Sequence, residues 1–145
     1  MMTNSTFRST AIGLLLLFLL AGCTSQPQAR TLAATINRDC GPADGPAFTV
    51  SVPYESGRKV VISIWQAPDI AGPRTFTLTD PTDQTGSATL FTGAEAWEAL
   101  SGTVTFRGVD FERPVEGAFR LTSASGEAFE AGFAAEWIEF PAYCG

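Results

Sequence analysis

The chain has 145 residues, with nine basic side chains, fifteen acidic ones and no histidine. The missing histidine excludes Ser-His-Asp and Cys-His catalytic arrangements. The acidic balance argues against nucleic acid as a partner, because phosphates need a basic patch.

The N-terminus begins with polar residues and one cation, Arg8, followed by an apolar run from Ala11 to Gly22. Twelve residues are too few to cross a bilayer as a helix, which needs about 20. A polar start, a short apolar run and small residues before a cysteine fit a secretory leader instead. The stretch Leu20-Ala21-Gly22-Cys23 resembles the lipobox of bacterial lipoproteins. That resemblance implies cleavage before Cys23 and acylation of its side chain. Residues 1–22 are then a signal peptide, 23–30 a lipidated tether and 31–145 a single β domain. The resemblance also implies an address in the cell envelope. Thr24 stands where Asp favours inner-membrane retention in the enterobacterial family, so the outer membrane is implied. One acyl chain binds only marginally, whereas two or more anchor stably.

With Arg8 in the leader, residues 23–145 carry eight basic and fifteen acidic side chains, a net charge of −7. A cationic protein partner suits that charge, and so does a plain role in solubility. With Cys23 assigned to lipid, Cys40 and Cys144 remain as an even pair in an oxidising compartment, where a disulfide is expected. A two-cysteine metal site lacks partners, since zinc usually takes four nitrogen or sulfur ligands.

From Thr31 onward the pattern is alternation. Leu32, Ala34 and Ile36 share one face, as do Phe48, Val50 and Val52, then Val60, Ile62 and Ile64. Phe76 with Leu78 and Ala88 with Leu90 continue it. A period of two marks strands with one buried face. The segments DCGPADGP, YESGRK, APDIAGP and DPTDQTG between them are turn chemistry. The stretch TGAEAWEALS predicts the one short helix, with Thr92 and Glu95 as a capping box and Trp97 as its anchor.

Glycines 86, 102, 117 and 132 then recur every fifteen or sixteen residues. The first three open the same phrase, with apolar residues two and four positions on. The fourth slips by one, to Phe133, Ala135 and Trp137, which suggests a β-bulge. The expected fold is all-β: an antiparallel meander of about eight strands closed as a barrel or sandwich, with one short helix.

Chemistry-bearing residues are few. No phosphate loop or dinucleotide fingerprint is present, and no cofactor is expected. Lys59 reads as an exposed turn lysine. The acidic pairs Asp110 with Glu112 and Glu136 with Glu139 are the only material for a carboxylate hydrolase, which needs two carboxyls about 5–10 Å apart. Asp39, Asp44, Asp80 and Asp83 do not match the EF-hand spacing and read as turn residues. Trp65 follows the buried phase of its strand, is expected to point outward, and with Pro68 would form a binding patch; burial under APDIAGP is the rival expectation. Trp137 is expected in the core. Together these residues point to a membrane-anchored envelope protein without catalytic residues or a metal. It is expected to bind a partner or serve a structural role. The chain is similar to the lysozyme-inhibitor lipoproteins in size, address and β architecture, without their inhibitory motif. The alternatives are a carrier of a small apolar ligand inside the barrel and the carboxylate hydrolase.

Overall fold

The computed structural model describes residues 30–79, 85–93, 95–111, 113–139, 142 and 144. The leader, Cys23 and the tether up to residue 29 lie outside the described residues, as do Asp80, Asp83 and Glu112. Eight strands follow in chain order: β1 (Thr31–Cys40), β2 (Pro46–Pro53), β3 (Lys59–Ile64), β4 (Arg74–Leu78), β5 (Gly86–Phe91), β6 (Trp97–Phe106), β7 (Val115–Ser123) and β8 (Ala128–Trp137). Hydrogen bonding runs β6-β5-β3-β2-β1-β8-β7 and returns to β6, which closes a seven-stranded barrel. Barrel, not sandwich, is therefore the architecture. Closure leaves the seven strands without a free edge.

The alternation explains the inward wall. Ile36, Phe48, Val50, Val52, Val60, Ile62 and Ile64 are fully buried. Five phenylalanines, 48, 106, 119, 129 and 133, fill the centre. Phe106 meets Phe48, Phe76 and Phe133 edge-on, with ring centroids 5.4, 5.9 and 5.7 Å away. Gly117 makes room for this packing, because a Cβ there would collide with the Phe133 ring and with the Thr105 carbonyl oxygen. Burying each aromatic ring contributes about 1.5–3 kcal/mol.

Three expectations need correction. First, Thr92–Ser101 is not a helix. The Thr92 amide donates to the Ala96 carbonyl over 3.0 Å, closing a hairpin turn, and Trp97 opens β6. The capping-box signal spans one turn. The strand signal extends through Leu100, Val104 and Phe106 and gains ladders with both β5 and β7. A helix that short is unstable without packing, so the longer pattern wins. The short helical pieces among the described residues are single 3₁₀ turns at Pro42–Asp44 and Glu55–Gly57. Second, the slip at Gly132 is not a bulge. The β7–β8 register runs unbroken from Val115↔Ala135 to Thr122↔Ala128. Glycines 86, 102 and 117 occupy the inward phase of their strands, whereas Gly132 lies in the outward phase beside Thr31. The slip is a change of face. Third, the meander is incomplete. β1 pairs with β8 in parallel, and β4 lies out of sequence order on β6.

That last feature creates a seam. β6 pairs with β5 over Trp97–Leu100 and, along the same edge, with β4 over Gly102–Phe106. Gly102 stands at the changeover with φ of 143°, and a Cβ there would run into the Arg120 carbonyl oxygen. Gly102→Ala is expected to destabilise the fold by about 1–3 kcal/mol, because both the backbone angle and the space exclude a side chain. Urea midpoints of the variant and of a Ser101→Ala control check this.

The barrel has two unlike ends. At one, tight turns close β2–β3 over Tyr54–Arg58, β5–β6 over Thr92–Ala96 and β7–β8 over Ser123–Glu127. β1 enters at this same end, where Arg30 faces Glu55 at 3.8 Å. Arg58 ties two of these turns together through Glu127 at 2.7 Å. The hydrogen bond that Arg58 donates to Glu127 holds the Arg58 pKa above its already high ordinary value. At the other end lie the longer connections between β3 and β4 and between β6 and β7, and the C-terminal tail. There Cys40, at the end of β1, is bonded to Cys144 with Cα atoms 5.5 Å apart.

Candidate functional site

Two aromatic surfaces stand out on this scaffold. The first is the seam. Where β6 changes partner, a groove of about 150 Å³ opens on the barrel wall between Trp97 and Trp65. Trp97 starts β6 directly across from Phe91, and Lys59 lies over the Phe91 ring at 5.2 Å. Trp97 is 67% exposed, against the expectation of a helix anchor. It falls on the outward phase of β6, so the register that buries Leu100, Val104 and Phe106 turns it to solvent. Ser87 and Thr89, on the outward phase of β5, lie between the two indoles.

Trp65 sits one residue beyond β3 and is half-buried. Its amide donates to the Thr85 carbonyl over 3.0 Å, and its side chain lies about 3.3 Å from where a Cβ on Gly41 would stand. Trp65 thus packs on the turn after β1 and also lines the groove. Pro68, the partner expected for it, lines a different recess.

Next to the groove runs a hydrogen-bonded chain. Thr49 Oγ1 donates to Asp39 Oδ2 over 2.7 Å. A hydroxyl has one proton, so the 2.9 Å contact between Thr49 and Ser63 is a donation from Ser63. Ser63 pairs across the ladder with Ser87. The carboxylate thus orients two hydroxyls in turn, and the oxygen of Ser63 is left as an acceptor. Asp39 Oδ1 accepts from the Cys40 amide at 2.8 Å, so both oxygens of this carboxylate are engaged within the fold.

The second surface caps the loop end. Arg38 lies over the Phe111 ring at 3.9 Å, and Phe111 packs on Trp137 at 4.7 Å. Trp137 Nε1 donates to the Asp110 carbonyl over 2.7 Å. Trp137 is therefore partly buried against the core rather than inside it. Phe111, 44% exposed, borders a shallow recess of about 310 Å³ with Arg38, Pro46 and Pro68. Phe111 lies in the polar connection RGVDFERP, and an isolated aromatic there is the one sequence signal that marks this cap.

Of the first carboxylate pair only Asp110 is described, because Glu112 lies outside the described residues. Asp110 lies on the β6–β7 connection rather than on a strand, and Arg113 holds its Oδ2 at 2.6 Å. Glu136 is exposed on the outer wall of β8, and Glu139 is exposed beyond it. Lys59 is exposed at the start of β3, as the turn composition suggests.

The fold and these surfaces define a small closed β-barrel with a filled interior and two aromatic faces on its exterior. No known protein family, curated protein or solved structure matches this chain.

Proposed function

We propose that the protein is a lipid-anchored envelope protein, held at the outer membrane through Cys23, whose barrel is a non-enzymatic binding module. The observation that carries this reading is where the chain enters the fold. Beyond the lipobox resemblance of Leu20–Cys23, β1 starts at the tight-turn end. The long connections and the disulfide gather at the opposite end. The seven residue steps from Cys23 to Arg30 reach at most about 25 Å. An anchor at Cys23 therefore holds the tight-turn end near the bilayer and leaves the loop end facing outward.

Binding then takes place on the exterior, because five fully buried phenylalanine rings occupy the space a carried ligand would need. The net charge of −7 on residues 23–145 favours a cationic protein among macromolecular partners. Membrane fractionation of cells fed a labelled fatty acid tests the anchor. Wild type is expected to take up label and sediment with membranes. Cys23→Ser is expected to do neither. An unlabelled wild-type protein in the soluble fraction would overturn the reading.

A further inference from the structure

We infer that the seam groove between Trp97 and Trp65 is a binding site for a short neutral glycan chain. This rests on the reading of the barrel as a binding module and names the ligand class of its groove. The first support is the lining. Among the described residues, none of the side chains that line the groove is charged, and Lys59 stands beside it over the Phe91 ring. Glu98, next to Trp97 in sequence, belongs to the opposite phase of β6. The described lining therefore offers no partner for an ion pair.

The second support is Trp97. An indole two-thirds exposed gains little from packing, yet it presents a flat apolar face and an N–H donor at the groove mouth. Trp65, partly buried, also lines the groove. The third support is the floor. Among the described residues, the hydroxyls of Ser87 and Thr89 have no hydrogen-bond partner. The Asp39–Thr49–Ser63 chain orients an acceptor in the same ladder row as Ser87.

These features select among ligands. An acyl chain would cover the hydroxyls and leave them unpaired, which is costly. A charged segment would find no counter-charge in the described lining. A pyranose ring stacks its apolar C–H face on an indole and offers hydroxyls at its edge to Ser87 and Thr89. The span from the Phe91–Trp97 row to Ser87 is four residues of β5, about 13 Å, which takes a short run of such rings.

The test is a titration of the full-length protein in a zwitterionic, non-glycoside detergent. The probes are chitotetraose, maltotetraose and an end-capped tetraalanine, followed by tryptophan emission and calorimetry. At least one sugar is expected to give a saturable blue shift. Trp97→Ala is expected to weaken it about tenfold, the scale of one lost aromatic contact. Trp97→Phe is expected to retain most of the affinity. No saturation by either sugar at millimolar concentration would overturn the inference. So would a response unchanged in Trp97→Ala, or saturation by the capped peptide alone. The titration does not depend on the acyl group, so an unlipidated protein that still binds sugar refutes only the anchor. A lipidated protein that binds none refutes only the glycan.

Discussion

Replacing both Cys40 and Cys144 by serine is expected to cost about 5 kcal/mol of folding stability and to lower Tm by roughly 20 °C. The bond joins residues 104 apart in sequence, so in the unfolded chain it closes nearly the whole domain into one loop. In the chain-entropy account that constraint removes more freedom from the unfolded state than any short loop could. The location adds to the effect. The barrel is closed by the β1–β8 ladder, from Thr31↔Gly132 to Ile36↔Trp137, and no other strand pairing in the fold spans as much sequence. The disulfide sits just beyond the end of that ladder and lowers the entropy lost on forming it. Urea unfolding of the oxidised protein and the double variant measures the difference. Hydrogen exchange should show β1 and β8 amides losing protection first in the variant. Equal midpoints would mean that β1–β8 pairing needs no staple.

Phe106→Ala is expected to cost about 3–5 kcal/mol, the range for removing a fully buried aromatic ring. Phe106 is the hub of the interior: it touches Phe48 on β2, Phe76 on β4 and Phe133 on β8. Its removal therefore loosens three strands at once, including the out-of-order β4. The contrast with Trp97→Ala is the decisive part. Tryptophan is the larger side chain, yet at 67% exposure its removal should stay within about 0.5 kcal/mol. Thermal or urea unfolding of both variants reads the two numbers side by side. A Trp97→Ala loss as large as that of Phe106→Ala would mean that the hairpin start of β6 is packed rather than exposed.

Much of this fold was legible in the sequence because a strand with one buried face writes its period into the residues. Ile36, Phe48, Val50, Val52, Val60, Ile62 and Ile64 read directly as inward positions, and cysteine parity after assigning Cys23 pointed to Cys40 with Cys144. Two features were not legible. The turn before β6 carries Thr92 and Glu95 at capping-box spacing, and a local signal of four residues reads as helix. Only the ladders from β5 and β7, both distant in sequence, turn Trp97 outward. The Gly132 slip reads as an inserted residue, but it becomes a change of face once the β1–β8 pairing is known. The candidate site was half visible. Trp65 was marked by its phase after Ile64. Its companion Trp97 was hidden by the mistaken helix. The Arg38–Phe111–Trp137 cap depends on a loop folding back over the barrel mouth, which no periodicity encodes.

The central claim is an acylated, stapled barrel presented from the envelope. The most direct measurement is the intact mass of the protein extracted from native membranes, taken with alkylation before and after reduction. The account predicts a chain beginning at Cys23, heavier by at least two acyl chains, with two thiols alkylated only after reduction. A chain that retains residues 1–22 without lipid, or two thiols alkylated before reduction, would contradict it.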